Sequence, residues 1–98
     1  MKNRMYEILY TGAFKKDLKR ISRRNHQNLD LVKEFVLLLR QKGVLGVPVS
    51  MKPHKLKGNY ADNWECHIKP DLLVIWFQIE RPKSIRLVRL GSHSDLFK

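Results

Sequence analysis

The stretch that decides the fold runs from residue 64 to residue 90 and reads WECHIKPDLLVIWFQIERPKSIRLVRL. Residues 64–69 alternate between apolar and polar side chains, which is typical of a strand with one buried face. After a Pro-Asp turn, residues 72–79 are almost wholly apolar, as in a central strand. A second turn leads to another strand at residues 84–90, and Gly91 then releases a short free tail. The stretch therefore predicts an antiparallel meander of three strands.

The alternation also divides the first of these strands into two faces. Glu65, His67 and Lys69 lie on one face, and the apolar side chains lie on the other. A two-residue turn would place His67 opposite Val74 and Glu65 opposite Trp76 in the next strand. With that register Trp76 underlies the polar face; otherwise it belongs to the core.

The N-terminal half supplies the rest of the fold. Residues 5–11 are rich in β-forming side chains and predict a first strand. Residues 12–25 and 29–42 each carry an apolar stripe at helical spacing, and two helices so close in sequence favour an antiparallel hairpin. Residues 43–53 contain two Gly and two Pro and predict a loop. The order β-α-α-β-β-β predicts one α+β domain over residues 1–98, an antiparallel sheet packed against a helical hairpin.

The composition points to an acidic partner. Twenty Lys and Arg against nine Asp and Glu give a net charge of +11, and so strong a positive field attracts polyanions, nucleic acid first and acidic proteins next. A membrane partner is not expected, because no segment cleanly combines the basic and apolar faces of an interfacial helix. The longest apolar run, residues 72–77, is also too short to span a bilayer. The single cysteine, Cys66, forms no internal disulfide, and with no secretory signal it predicts a reducing, cytoplasmic setting.

Candidate catalytic side chains concentrate between residues 54 and 97. Three of the four histidines fall there, with two carboxylates and an arginine. Consecutive antiparallel strands would bring these groups onto one surface, which we interpret as a surface that cleaves RNA. The histidines would also suit zinc, but they lack the close-paired spacing of zinc ligands, so no metal or other cofactor is expected. The groups are His54, His67, His93, Glu65, Asp71 and Arg89.

Four segments together resemble a known family. They are FKKDLKR at 14–20, HKLKG at 54–58, ECHIKPD at 65–71 and RLGSHSDLF at 89–97. The sequence is similar, over nearly its whole length, to the RelE/ParE superfamily of bacterial toxins and within it to the YafQ branch of ribosome-dependent mRNA endonucleases. The resemblance implies a RelE-like fold, a toxin that cleaves mRNA in the A site of the 70S ribosome, and a cognate antitoxin that neutralises it. An acidic antitoxin that folds on binding would suit the +11 surface.

The resemblance also implies roles for individual residues. Some relatives carry Asp where this chain has Glu65, which leaves the role of that longer side chain open. Arg89 matches a phosphate-contacting position. Position alone, apart from the resemblance, suggests that Lys55 near His54 and Lys69 on the face of His67 add positive charge beside the substrate. The positions that match the active site of the family are His54, His67, Asp71, His93 and Phe97.

Metal-independent cleavage of RNA needs three groups. One removes the proton of the attacking 2′-hydroxyl, one stabilises charge on the phosphoryl oxygens, and one protonates the leaving 5′-oxygen. Histidine suits the first and third tasks because its ordinary pKa of about 6.5 allows both forms near neutrality. Arg89 suits the second, and Phe97 would stack on a base. We assign His54 and Asp71 to the base side and His93 to the leaving group, although these acid and base roles can be exchanged.

The first helix is expected to contact ribosomal RNA. Its apolar stripe is narrow, and cations occupy nearly all of its remaining surface. Such side chains bind phosphates and give affinity without sequence specificity; the alternative is a merely solvated face. The cations are Lys15, Lys16, Lys19, Arg20, Arg23 and Arg24.

Two other functions stay open at this point. A ParE-like toxin of the same fold would act on DNA gyrase without cutting anything, although that branch needs no set of histidines. A non-catalytic RNA-binding module would use the basic helix alone. Single residues also have simpler interpretations, in which Arg89 only pairs with Asp95 and His93 lies in a frayed tail.

Overall fold

The computed structural model describes residues 5–97 of the chain. Eight helices and strands follow one another in this part of the chain, and short 3-10 turns lie between α2 and β3. In chain order they are β1 (Glu7–Tyr10), α1 (Gly12–Arg24), α2 (His26–Lys42), β2 (His54–Lys55), β3 (Trp64–Lys69), β4 (Leu72–Glu80), β5 (Lys83–Gly91) and α3 (His93–Leu96).

The five strands form one mixed sheet in the order β1-β5-β4-β3-β2. The α+β fold and the meander β3-β4-β5 are confirmed. The expectation of a wholly antiparallel sheet is wrong, because β1 runs parallel to β5, with Ile8 opposite Ile85. No turn connects these two strands, so the sequence contains nothing that fixes their relative direction. The short edge strand β2 was also not predicted.

The two long helices cover one face of the sheet. Thr11 caps α1, since its hydroxyl accepts a hydrogen bond from the backbone N–H of Phe14 at 3.1 Å, and Asn25 caps α2 in the same way. Phe35 of α2 packs edge-on against Trp76 of β4. Both side chains lie in a core that also contains Phe14 and residues from four of the strands. Trp76 therefore belongs to the core and does not underlie the polar face.

The opposite face of the sheet carries α3, and we call it the open face. Leu73 and Ile75 of β4 point to this side and form a second, smaller cluster with Leu96 of α3. Ser92 and Asp95 form a capping box at the start of α3. The C-terminal residues are thus a docked helix and not the free tail expected after residue 91.

A bulge changes the register of β3 against β4. Lys69 lies opposite Leu72, but His67 lies opposite Leu73 and Glu65 opposite Ile75, one residue away from the predicted partners. Directly opposed residues share a face, so Glu65 and His67 lie on the open face. The prediction that Lys69 shares it is wrong: its ammonium group donates to the side chain of Asn28 on α2 at 2.9 Å.

None of the helices within residues 5–97 is long and apolar enough to cross a membrane.

Candidate active site

Pairing across four strands places the candidate residues in one row. His54 of β2 lies opposite Glu65 of β3, Glu65 lies opposite Ile75 of β4, and Ile75 lies opposite Arg89 of β5. Neighbouring strands are about 4.8 Å apart, so the backbone of the row spans roughly 14 Å. His54, Glu65 and Arg89 are therefore brought together on the open face.

A second row brings the other two histidines to the same face. His67 lies opposite Leu73, which lies opposite Gly91 at the end of β5. Two residues later His93 begins α3, and α3 is anchored beside Leu73 by Leu96. The rings of His93 and Phe97 have centroids 5.0 Å apart. The predicted gathering of His54, His67 and His93 on one face is present.

The side chains of His54 and Glu65 form a pair. Nε2 of His54 lies 3.2 Å from Oε1 of Glu65, and Nδ1 lies 2.9 Å from the carbonyl oxygen of Lys52. The contact between the two side chains is an ion pair only when the imidazole is protonated on both nitrogens. Glu65 is 4% exposed, and within residues 5–97 its second oxygen, Oε2, is buried with no hydrogen-bond partner. His54 and Glu65 therefore lie in direct contact on the open face.

Arg89 is held by two neighbours instead of extending freely. Its Nε and Nη2 donate to the two carboxylate oxygens of Asp17 at 2.7 and 3.2 Å, and its Nη1 donates to the hydroxyl of Tyr60 at 3.3 Å. The hydrogen bonds to Asp17 raise the pKa of Arg89 although its partial burial opposes this. The simpler interpretation, a pair between Arg89 and Asp95, is wrong because Asp95 pairs with Arg20.

Asp17 is a residue of the site that the sequence interpretation missed. It is 2% exposed, and its burial acts against ionisation. Hydrogen bonds from Arg89, the N–H of Leu90 and Arg20 outweigh burial and hold the pKa of Asp17 below its usual 3.8. Its position in the sequence could have identified it as buried. Asp17 lies three residues after Phe14, on the buried stripe of a helix whose remaining surface is cationic.

Tyr60 is the second missed residue. Its ring packs edge-on against that of Phe97, with centroids 5.9 Å apart, and its hydroxyl accepts the hydrogen bond from Arg89. It lies in a short turn between β2 and β3. No sequence pattern marks this contact, because the turn meets α3 only through the tertiary fold.

The predicted residues around His67 are arranged less closely. Nδ1 of His67 faces the carbonyl oxygen of Pro70 at 3.4 Å. Asp71 lies exposed in the β3–β4 turn, and no hydrogen bond joins it to His67 in the described structure. A groove of about 440 Å³ runs beside His67 and is lined by Lys52 and Lys69 among others. Lys69 therefore reaches the margin of this groove from the helix side of the sheet.

The cations of α1 divide into two groups. Lys15, Lys16, Lys19 and Arg23 are exposed. Arg20 donates to Asp17 at 2.9 Å and lies 3.6 Å from Asp95, and Arg24 lies 3.4 Å from Asp95. Arg20 and Arg24 thus connect α1 to α3, so their guanidinium groups are already paired with carboxylates.

Lys55 on β2 is exposed, and its ammonium group lies 5.6 Å from the centre of the Trp64 ring. Within residues 5–97, no three His, Cys, Asp or Glu side chains lie close enough together to hold a metal ion. A groove of about 740 Å³ lies between β1 and the two long helices and has no histidine in its lining. It is mainly apolar and includes Tyr10 and Leu37, with Glu7, Lys33 and Arg40 as its charged members.

Comparison with known proteins finds relatives along nearly the whole chain. The profile of a family described as bacterial toxin of type II toxin–antitoxin system, YafQ, matches residues 6–98. The crystal structure of YafQ from E. coli strain BL21(DE3) is 28% identical and has a TM-score of 0.82; the match covers 95% of this chain and 99% of that one. A metal-bound toxin from Helicobacter pylori is 38% identical with a TM-score of 0.78, over 95% and 100% of the two chains.

The toxin chain of the E. coli DinJ–YafQ toxin–antitoxin complex is also similar. It is 28% identical with a TM-score of 0.77, and the match covers 96% of this chain and 99% of that one. No curated protein sequence matches the chain significantly.

Proposed function

The chain belongs to the YafQ family of bacterial toxins of type II toxin–antitoxin systems, and from this premise we propose that it is a ribosome-dependent endoribonuclease. The proposed substrate is mRNA in the A site of a translating ribosome. Cleavage proceeds without a metal, by attack of a 2′-hydroxyl on the adjacent phosphate. The toxin acts where ribosomes translate, in the cytoplasm.

One observation carries the proposal: the three histidines occur on the open face together with a guanidinium and an aromatic ring. His54 and Arg89 belong to one row across the sheet, and His67 lies in the next. His93 and Phe97 belong to the helix docked beside them. Proton donors, proton acceptors and a phosphate-binding cation are what this reaction requires. A toxin that inhibits DNA gyrase without cleaving nucleic acid does not require these catalytic groups.

The proposed reaction assigns a task to each group other than His67, which belongs to the site without a separate step. The His54–Glu65 pair takes up the proton of the 2′-hydroxyl, with Asp71 as the second group on the base side. Arg89 stabilises the charge that develops on the phosphoryl oxygens, and His93 protonates the 5′-oxygen that leaves. Phe97 and Tyr60 offer ring faces and edges on which a base of the bound codon stacks.

Defined mRNA on purified ribosomes tests the proposal. Wild-type protein is expected to produce new 5′ ends within the A-site codon, and His93→Ala and His67→Ala should each slow cleavage by about 10²- to 10⁴-fold. His26→Ala is the matched control, since His26 is exposed at the start of α2 and should leave the rate unchanged.

The same experiment separates the alternatives. Intact mRNA together with arrested gyrase would favour the ParE-like function. Translation arrest that persists without cleavage, and survives loss of both histidines, would favour a non-catalytic RNA-binding module.

The proposed partners follow from charge. The exposed lysines of α1, among them Lys15, Lys16 and Lys19, would contact ribosomal RNA phosphates. A cognate acidic antitoxin would bind the +11 chain and fold as it does so. Calorimetry with the product of the neighbouring gene tests the second point, and the absence of a complex would refute it.

A further inference from the structure

The least expected group beside the open face is the carboxylate of Asp17, because it comes from a helix on the other face of the sheet. Asp17 belongs to α1, on the opposite side of the sheet from the histidines, yet it is 2% exposed and accepts four hydrogen bonds. Two come from Arg89 and one each from Arg20 and the N–H of Leu90. Burying an ionised carboxylate is costly unless it is fully paired. Solubility alone therefore does not explain a buried Asp17.

We propose that Asp17 is a positioning residue for the endonuclease reaction, which fixes Arg89 as the phosphate-binding group and fixes the start of α3 that carries His93. This rests on the proposed function. Asp17 does not touch the substrate; it acts through the groups that do.

The geometry at Arg89 determines which of its N–H groups remain free to bind a substrate. A guanidinium has five N–H bonds, and three of those of Arg89 are occupied, two by Asp17 and one by Tyr60. One N–H remains on each of the two terminal nitrogens, Nη1 and Nη2. The side chain of Arg89 is 26% exposed, so it is not closed off from solvent. A neighbouring pair of N–H groups matches two oxygens of one phosphate.

The same carboxylate also fixes the backbone that leads to His93. Asp17 accepts from the N–H of Leu90 at 2.9 Å, and Arg20, held by Asp17, donates to the carbonyl of Leu90 at 3.2 Å. Arg20 lies 3.6 Å from Asp95, which caps α3 together with Ser92. A side chain at Gly91 would place its Cβ 2.9 Å from both Arg20 and Asp95, so the network packs directly against the strand end. Asp17 therefore contacts Arg89 directly and reaches Asp95 in the cap of α3 through Arg20.

Asp17→Asn is the test, because it keeps the shape and removes the charge. Single-turnover cleavage of ribosome-bound mRNA at saturating toxin should fall about 100-fold, as expected for a misplaced catalytic group, while affinity for the ribosome stays within about threefold. The exposed Asp30 on α2 gives the matched control, and Asp30→Asn should change neither quantity. In the background of Arg89→Ala, Asp17→Asn should cost less than it does in the wild type, because only its effect through α3 remains.

The contrary results are distinct. A wild-type chain that leaves ribosomal mRNA intact overturns the proposed function and this inference with it. A wild type that cleaves, beside an Asp17→Asn variant that is folded and within threefold of its rate, overturns only the inference. So does a double variant whose loss equals the product of the two single losses, since independent effects multiply.

A measurement on the wild type decides the matter if Asp17→Asn does not fold. The Nε–H of Arg89, bonded to Asp17, should give a separate nitrogen–proton NMR signal that exchanges with water at least tenfold more slowly than that of the exposed Arg23. Equal exchange rates for the two arginines would show that Arg89 is not held, and would overturn the inference.

Discussion

Replacing Glu65 by methionine should make the protein more stable and less active. The carboxylate is 4% exposed, and its Oε2 atom has no hydrogen-bond partner within the described residues. Methionine matches glutamate in length and adapts to irregular apolar space, and the adjoining cluster of Leu73, Ile75 and Leu96 is apolar. The substitution removes a buried polar atom from an apolar setting while keeping the volume filled.

The magnitude follows from two opposing contributions. Leaving a buried polar atom unsatisfied costs about 1–3 kcal/mol, which the variant recovers. It loses the contact between Glu65 and His54, in which the imidazole is 49% exposed, and pairs exposed to that extent contribute about 0.2–1 kcal/mol. The net gain is about 1 kcal/mol, and for a domain of this size each kcal/mol raises Tm by about 4–8 °C.

Calorimetry of wild type and Glu65→Met at pH 7, beside single-turnover cleavage on ribosomes, tests the prediction. Glu65→Gln is the control, since its amide keeps the shape and a polar atom in the same place, and it should show no comparable rise in Tm. A fall in Tm for Glu65→Met would show that the carboxylate serves the fold. Unchanged cleavage would show that it has no part in the reaction.

Three further outcomes are expected. The pKa of Asp17 is lower in the folded state than in the unfolded state. Its contribution to stability is therefore fully present above the unfolded-state pKa and is lost as the pH falls through the folded-state pKa. Urea unfolding of the wild type between pH 7 and pH 2 should show a loss of stability below about pH 4, and Asp17→Asn should lack this loss. Trp76→Ala, at a side chain with 0% exposure, should lower the free energy of unfolding by about 3–5 kcal/mol; Leu45→Ala, at 93% exposure, should change it by less than about 0.5 kcal/mol in the same titration. Lys15→Gln and Lys19→Gln should each reduce the slope of log affinity for ribosomes against log salt concentration by about 1, and an unchanged slope would remove these lysines from the RNA contact.

The parts of the fold that follow from local pattern could be predicted. Alternation and an apolar run predicted β3 and β4, and the apolar stripes predicted α1 and α2. The capping box of α3 was also visible, because Ser92 followed three residues later by Asp95 is a helix-start pattern. That pattern predicts a helix at α3, which the expectation of a free tail did not take into account.

The features that could not be predicted depend on contacts between distant segments. The bulge between His67 and Lys69 has no Gly or Pro to mark it, and it alone turns Lys69 to the helix side. The partners Asp17 and Arg89 are 72 residues apart, so only the tertiary fold shows that the arginine expected to bind phosphate is already held by a carboxylate. The sequence predicts which residue types take part, and the fold decides how each is oriented.

The chemistry of the cleaved ends tests the central claim most directly. Attack by a 2′-hydroxyl leaves a 5′-hydroxyl on the downstream fragment and requires that hydroxyl at the scissile nucleotide. If no metal takes part, the reaction also continues in the presence of a metal chelator. We therefore expect ribosome-bound mRNA to yield 5′-hydroxyl ends. This result should hold in EDTA, with magnesium restored only to the level that ribosomes need. An mRNA with a single 2′-deoxy nucleotide at the cleavage position should stay intact. Fragments with 5′-phosphate ends, or cleavage of the deoxy-substituted mRNA, would contradict the account.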